Sequence, residues 1–246
     1  MMLDGKIALV TGAAGTIGTA ICKDFIDKGA VVLLVDIAKD PLDNLCRILG
    51  ERAIPVSVDL SNTSSLVESV QGVLKQHGQI DILVNNAGIL SNNKVEGTTL
   101  EEWRRINTVN LDAAFLLCQA IVPGMRIKEW GRIINISSYA AKCGGLTAGT
   151  AYSVSKSALI GLTFSVARET ARQGITVNAI APAYVMSPMV SEQLTSLQRE
   201  AQLAQIPVGR FCEPEEVAYA VAFLSSPLAG FITGEVLDMN GGLQFD

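Results

Sequence analysis

The chain has 246 residues, of which 49% are hydrophobic and 17% charged, and its formal net charge is −5. This composition excludes a disordered chain and suits one large α/β domain with a substantial core. An acidic chain with no cluster of Lys and Arg is not expected to bind nucleic acid or an anionic membrane. The five cysteines are scattered and never form Cys-x-x-Cys, and His77 is the only histidine, so we expect reduced thiols and no metal site.

The start of the chain carries no recognisable targeting signal. Residues Met1 to Lys6 lead directly into an apolar run that is shorter than the core of a signal peptide. No uncharged apolar run approaches the roughly 18 residues that cross a bilayer. We therefore expect a cytoplasmic protein.

Short apolar runs alternate with longer helical patterns along the chain. The predicted strands are Lys6–Thr11, Ala30–Asp36, Ala53–Val58, Ile80–Asn85, Arg132–Ser137, Ile175–Ala181 and Glu235–Met239. The predicted helices are Thr16–Lys28, Pro41–Gly50, Ser64–Gln76, Leu100–Lys128, Thr150–Arg172 and Pro214–Ser225. This alternation predicts a doubly wound parallel sheet of about seven strands with helices on both faces. We expect a single domain over residues 1–246, with the long irregular segment 183–210 acting as a substrate lid.

A glycine-rich turn joins the first predicted strand to the first predicted helix. It reads Gly12-Ala-Ala-Gly15-Thr16-Ile17-Gly18. Glycines let the backbone approach a pyrophosphate, and the helix N-terminus offers N–H donors and the positive end of its dipole. The turn therefore predicts a dinucleotide site that includes Gly12, Gly15, Thr16, Ile17 and Gly18.

The end of the second predicted strand indicates which dinucleotide binds. Asp36 lies eighteen residues after Gly18 and can accept hydrogen bonds from the adenosine ribose, whereas its charge would repel a 2′-phosphate. The next residue is Ile37, and the glycine turn contains no cation. These residues predict NAD as the cofactor, with Lys39 the one nearby cation that argues against it.

Tyr152 and Lys156 are four residues apart on a predicted helix, so their side chains lie on one face. An ammonium beside a phenol favours the phenolate, and we expect Lys156 to lower the pKa of Tyr152 towards neutrality. Ser138 lies fourteen residues before the tyrosine and can hold a substrate oxygen while Tyr152 transfers the proton.

Taken with Asn85-Asn86-Ala87-Gly88, Asn110, Ile134–Ser138 and Asn178–Pro182, these motifs make nearly the whole chain resemble the classical short-chain dehydrogenase/reductase family, which has a Rossmann-type fold. The resemblance implies a catalytic set of Asn110, Ser138, Tyr152 and Lys156, in which Asn110 holds a relay water. It also implies cofactor contacts from Asp59, Leu60, Asn86, Ala87, Gly88, Tyr152, Lys156, Pro182, Val185 and Ser187.

The chain departs from the family pattern at three points. Gly15 replaces a glycine usual at position 16, Ala183 follows Pro182 where glycine is usual, and Ser187 stands for a threonine. These changes alter the geometry of the cofactor site and remove no reactive group.

The resulting prediction is an NAD-dependent enzyme that interconverts a secondary alcohol and a ketone. The expected pocket combines Ser91–Val95, Tyr139–Thr150 and the lid, with Asn92, Asn93, Lys94 and Lys142 beside Leu90, Leu146, Tyr184, Met186 and Met189. Its polar members favour a small sugar-like or polyol-like substrate, with oxidation as the physiological direction.

Two alternatives remain open at this point. One is a 3-oxoacyl-[acyl-carrier-protein] reductase. Enzymes of that kind dock their acidic carrier on basic surface residues, whereas this chain has Glu129 and Gln173 at the positions that correspond by resemblance. The other is a non-catalytic regulator that binds NAD.

Apolar residues on more than one face of the helices Leu100–Lys128 and Thr150–Arg172 predict self-association. These residues are Phe115, Leu116 and Leu117 on the first helix and Leu159, Leu162 and Phe164 on the second. By the same resemblance we expect a homotetramer, with a dimer as the alternative.

Overall fold

The structure is a computed structural model that describes residues 1–187 and 195–245. Its strands are β1 (Ile7–Thr11), β2 (Val31–Asp36), β3 (Ala53–Ser57), β4 (Ile82–Asn85), β5 (Gly131–Ile136), β6 (Ile175–Pro182) and β7 (Val236–Met239). Its helices are α1 (Thr16–Asp27), α2 (Lys39–Leu49), α3 (Thr63–His77), α4 (Leu100–Asn107), α5 (Ala113–Lys128), α6 (Ala140–Cys143), α7 (Thr150–Thr170), α8 (Ser196–Leu203) and α9 (Pro214–Ser225).

Within the described ranges, the strands form one seven-stranded sheet in the order β3-β2-β1-β4-β5-β6-β7, and neighbouring strands are parallel. The order reverses between β1 and β4, where Leu9 pairs with Leu83. In such sheets the crevice beyond the carboxyl ends of the strands at this reversal is the preferred ligand site.

Two apolar layers cover the two faces of the sheet. Ile21 and Phe25 of α1 pack with Val221 of α9 on one face, and α2 joins the same cluster. On the other face, α3 and α5 supply a second cluster that includes Val70 and Ile121. Every predicted strand is present, and helices on both faces confirm the predicted doubly wound α/β fold.

The predicted helix Leu100–Lys128 is interrupted by a π-helical turn over Thr108–Asp112. The Ala113 N–H donates to the Thr108 carbonyl, five residues earlier, which widens the helix locally. By length and composition this segment is apolar enough to cross a bilayer. However, Leu117, Ile121 and Met125 pack into the core against the sheet, as in a core helix.

The predicted lid 183–210 contains the helix α8, and residues 188–194, with Met189 among them, lie outside the described residues. A parallel bridge joins Val185, near the start of this segment, to Cys212, just after its end. The Met186 N–H donates to the Cys212 carbonyl at 2.8 Å. Ile206 and Phe211 form a small separate apolar cluster with Tyr184, Met186, Leu203 and Leu243.

Candidate active site

A cavity of about 970 Å³ opens at the carboxyl ends of β1 and β4. Both halves of the predicted site line this one cavity. Ser138 lines it together with all the predicted cofactor contacts, which are Gly12, Gly15, Thr16, Ile17, Gly18, Asp36, Ile37, Asp59, Leu60, Asn86, Ala87, Gly88, Tyr152, Lys156, Pro182, Val185 and Ser187.

The glycine turn has the close packing that a pyrophosphate cradle requires. Gly12 has a φ of +63°, and a Cβ on it would lie 2.9 Å from the Ala87 Cα. A Cβ on Gly18 would lie 2.0 Å from the Gly12 carbonyl oxygen. No side chain in the described ranges caps α1 at Gly15, so the first N–H groups of this helix are available to an anion. These features fit a dinucleotide.

Asp36 lines the cavity, and two backbone N–H groups hold its carboxylate. Its Oδ2 accepts the Ala14 N–H at 3.0 Å, and its Oδ1 accepts the Ala38 N–H at 3.0 Å. Both bonds leave lone pairs on each oxygen for ribose hydroxyls. Ile37 is 65% exposed beside it, so the position next to the carboxylate presents an apolar surface.

Thr11 and Asn86 join the turn to the end of β4. The Thr11 hydroxyl accepts the N–H groups of Asn86 and Ala87 at 3.0 Å each. In return, the Asn86 Nδ2 donates to the carbonyls of Thr11 and Gly12 at 2.9 and 3.1 Å. This reciprocal set fixes the floor of the cavity, and the role of Thr11 was not predicted from the sequence.

Tyr152, in the first turn of α7, forms a hydrogen bond with Ser138 at the end of β5. A ketone oxygen placed between the two hydroxyls would contact a proton donor and a polarising hydrogen bond together. Burial raises the pKa of Tyr152 above its ordinary value, and the hydrogen bond with Ser138 offsets part of this increase. The phenol is therefore held in its protonated form.

The expected lowering of the Tyr152 pKa by Lys156 is not what the structure shows. The Lys156 ammonium donates to the Ile136 carbonyl at 2.7 Å and lies 5.9 Å from the centre of the tyrosine ring. Burial is the largest influence on both groups, and it lowers the pKa of Lys156 to about 8. Lys156 is thus a buried base whose proton is lost near the working pH.

Asn110 lies in the π turn, behind the cavity wall. Its Oδ1 accepts the Ile89 N–H at 2.8 Å, and its Nδ2 donates to the Ile89 carbonyl at 3.1 Å. Gly88 lies between Asn110 and Lys156 and contacts both side chains. A Cβ on Gly88 would lie 3.0 Å from the Lys156 Nζ and 3.4 Å from the Asn110 Oδ1. The structure therefore brings Asn110 close to Lys156, as the proposed relay requires.

A buried polar network, not predicted from the sequence, locks α7 to the sheet. Asn85 on β4 donates to Asn135 on β5 at 2.8 Å, and Asn135 donates to the Thr163 hydroxyl on α7 at 2.8 Å. Ser155 accepts a bond from Asn110 at 3.0 Å and donates to the Tyr152 carbonyl at 2.8 Å. Polar residues in otherwise apolar strands were the available signal for Asn85 and Asn135.

The substrate end of the cavity is more apolar than expected. Leu90, Asn92, Tyr139, Cys143, Leu146 and Tyr184 line it, whereas Asn93, Lys94, Lys142 and Met186 are not among the residues that line it. The Lys94 ammonium donates to backbone carbonyls, and Lys142 pairs with Asp238 at 2.5 Å. The two lysines that suggested a polar, anionic substrate are thus engaged within the protein.

The comparisons with known proteins agree with this geometry. Residues 12–244 match the sequence profile of a family described as enoyl-(acyl carrier protein) reductase. The chain is 41% identical to a 3-oxoacyl-[acyl-carrier-protein] reductase of Vibrio cholerae and 39% identical to one of Thermotoga maritima, over 99% of each chain. A Beutenbergia cavernae structure solved with NADP at low occupancy, provisionally named as an NAD(P)-dependent gluconate 5-dehydrogenase, has a TM-score of 0.91 at 36% identity. That alignment covers 98% of this chain and 97% of the neighbour.

The prediction of a sugar-like or polyol-like substrate is wrong. Full-length curated relatives at 39–41% identity are 3-oxoacyl-[acyl-carrier-protein] reductases, which supports the alternative that the sequence left open. The physical error was to count Lys94 and Lys142 as pocket residues. The assembled site and its full-length relatives establish that this chain belongs to the short-chain dehydrogenase/reductase family and is an NAD(P)-dependent oxidoreductase.

Proposed function

We propose that this protein reduces the 3-oxo group of an acyl thioester, carried on an acyl carrier protein, to a 3-hydroxyl group. The observation that carries the proposal is the full-length similarity to 3-oxoacyl-[acyl-carrier-protein] reductases, at 41% identity over 99% of the chain for the Vibrio cholerae enzyme. The apolar residues Leu90 and Leu146 at the substrate end of the cavity suit an acyl chain better than a polyol.

The side chains of the site divide the work of a carbonyl reduction. When bound, the nicotinamide supplies the hydride to the carbonyl carbon. Ser138 donates a hydrogen bond to the ketone oxygen and polarises the carbonyl, and Tyr152 donates the proton to that oxygen as negative charge develops. Lys156 holds a positive charge beside the reacting group below pH ~8, in line with its pKa of about 8. After turnover Lys156 is the source of the proton that returns to Tyr152, and Asn110 holds a water that connects Lys156 to solvent and resupplies that proton.

The test is a panel of substrates, with turnover of each one measured as the loss of NADH or NADPH absorbance. We expect turnover of an acetoacetyl thioester, on a carrier protein and on N-acetylcysteamine, and no turnover of a crotonyl thioester, gluconate or ribitol. Tyr152→Phe is the matched control, since it removes the proton donor and retains the ring. Turnover of the crotonyl thioester alone would refute the proposal in favour of enoyl reduction, and equal absence of activity in parent and Tyr152→Phe would favour an NAD-binding regulator.

We further propose that NADH is the preferred cofactor. The support is Asp36, whose carboxylate is fixed by two backbone N–H groups and is followed by Ile37. A 2′-phosphate would meet this charge without a cation in the glycine turn to balance it. Comparing kcat/KM for NADH and NADPH on the same thioester decides the matter, and a higher value with NADPH would overturn the proposal.

A homotetramer in the cytoplasm completes the proposal. Phe115 on α5 and Phe164 on α7 are 49% and 50% exposed, whereas Leu117 and Leu159 are buried in the core. The two phenylalanines therefore leave part of the predicted apolar face on the surface of one chain. Light scattering should give about four times the 26.1 kDa chain mass, and a mass near that of one chain would refute self-association.

A further inference from the structure

Lys94 places its ammonium where three backbone carbonyls converge. Its Nζ donates to the carbonyl of Gly145 at 2.7 Å, that of Ala148 at 2.7 Å and that of Leu146 at 3.4 Å. An ammonium has three protons, so these bonds use its full donor capacity. No anionic side chain takes part in them.

The carbonyls belong to the loop 144–149, which leads from α6 to the start of α7. Gly144 and Gly145 have φ values of +75° and +77°, so the loop turns sharply. Such a turn aims several carbonyls at one point, where their dipoles repel one another and a cation offsets the repulsion. Leu146, Thr147 and Ala148 of this loop line the substrate end of the cavity.

The segment that carries Lys94 is fixed to α4 and to the start of α7. The Gly149 N–H donates to the Ser91 carbonyl at 2.6 Å, and the Thr150 N–H donates to the Asn93 carbonyl at 3.0 Å. Glu102 on α4 accepts hydrogen bonds from the side chains of Ser91 and Asn93. A Cβ on Gly149 would lie 2.5 Å from the Asn93 carbonyl oxygen, so the two segments are in close contact.

We propose that Lys94 is a positioning residue that holds the loop 144–149 as the substrate-facing wall of the active site. Loss of its ammonium releases the three carbonyls and loosens the wall two residues before α7 begins. Substrate binding depends on this wall, whereas the cofactor residues lie on other segments. Tyr152 lies on α7, which Asn110 holds at Ser155 and Asn135 holds at Thr163, so the chemical step depends less on Lys94. The kinetic part of this inference rests on the proposed 3-oxoacyl reductase activity.

The test is Lys94→Met, which retains an unbranched chain of similar length and removes the ammonium. With acetoacetyl-N-acetylcysteamine as substrate, we expect KM to rise about tenfold, with a smaller change in kcat and an unchanged Kd for NADH. Hydrogen exchange of the amides in 144–151 should accelerate about tenfold, because bonds from a charged donor are lost. Lys94→Arg, whose guanidinium can also donate to several carbonyls, should recover most of the KM.

Lys128→Met is the matched control. Its ammonium donates to the Gln79 carbonyl at 3.1 Å and to Asp81 at 2.7 Å, both far along the chain from the loop 144–149. The N-acetylcysteamine thioester carries no carrier protein, so carrier docking does not affect the comparison. We expect this variant to keep the parent KM and the parent exchange rates in 144–151. Unchanged exchange in Lys94→Met, or an equal change in Lys128→Met, would overturn the inference. The exchange measurement needs no substrate, so it tests Lys94 even if the proposed reductase activity is absent.

Discussion

Lys156→Met should remove catalysis and at the same time stabilise the folded protein at neutral pH. Lys156 is only 3% exposed, and the polar contact of its ammonium is the Ile136 carbonyl, at 2.7 Å. Methionine has a similar unbranched shape and carries no charge into the core. The fold therefore accommodates the Lys156 ammonium at a cost in stability.

The magnitude follows from the pKa of Lys156, which burial lowers from 10.5 to about 8. Each pH unit of such a change corresponds to about 1.4 kcal/mol, so burying the ammonium costs the folded state about 3 kcal/mol. Leaving the Ile136 carbonyl without this donor costs about 1–2 kcal/mol in the variant. The free energy of unfolding should therefore rise by about 1–2 kcal/mol, or by roughly 5 °C in Tm for a chain of this size.

The gain should depend on pH in a defined direction. Below pH ~8 Lys156 is protonated in both the folded and the unfolded parent, so the full cost of burial is present, given its folded pKa of about 8. Between that value and 10.5, the ordinary pKa of lysine, the unfolded chain binds the extra proton, so the parent becomes more stable as the pH rises. The difference between variant and parent should therefore shrink through this window and change sign at about pH 9–10, where the remaining cost of burying Lys156 falls below the cost of the unpaired carbonyl.

The assay is thermal or urea unfolding of parent and variant in a pH series from about 6 to 10, without cofactor. Lys128→Met serves as the control, because Lys128 is partly exposed and paired with Asp81, so this variant should lose a little stability. Destabilisation by Lys156→Met at pH 7, together with a difference from the parent that does not change with pH, would refute the reasoning.

Three further outcomes can be measured on the same preparations. In the reduction direction, kcat/KM should fall as the pH rises through about 8, because Lys156 loses its proton there. Lys156→Met should lack this transition, and a pH profile shared by both proteins would contradict the assignment of the transition to Lys156. Gly88→Ala should lower kcat about tenfold while the protein stays folded, because the added Cβ would lie 3.0 Å from the Lys156 Nζ; full activity would show that Lys156 can move freely. Replacing Asp36 by Ala and Ile37 by Arg should shift the cofactor preference towards NADPH, and an unchanged ratio of kcat/KM values would show that Asp36 does not set it.

The strand pattern could be predicted because parallel strands covered on both faces are continuous apolar runs. β2, for example, reads Val-Val-Leu-Leu-Val-Asp and ends at Asp36. The π turn at Thr108–Asp112 could not be predicted in the same way. Its residues fit an ordinary helix in composition, and the contacts that Asn110 makes from this turn with Ile89 and Ser155 are to segments distant in the sequence.

The residues that the sequence predicts for the cofactor half of the site all line one cavity, whereas several of those predicted for the substrate half do not. Gly12 and Asp36 act through backbone geometry and charge at fixed points of the βαβ unit, so their spacing is informative. The direction of the Lys94 side chain depends on the loop 144–149, and that of the Lys142 side chain depends on Asp238. Position in the sequence placed both lysines near the pocket, but their hydrogen bonds direct them to carbonyls and to a carboxylate instead.

The direction in which the Tyr152 pKa is shifted could not be predicted from the sequence either. A spacing of four residues on α7 places Lys156 and Tyr152 on one face, but it fixes neither the burial of the pair nor the partner of the ammonium. In the fold Lys156 is buried and Tyr152 is half-buried, and desolvation favours the neutral amine and the neutral phenol. A protonated phenol suits a site that must give a proton to a ketone oxygen. The proposed reduction of a 3-oxoacyl substrate uses this protonated form of Tyr152 as its proton donor.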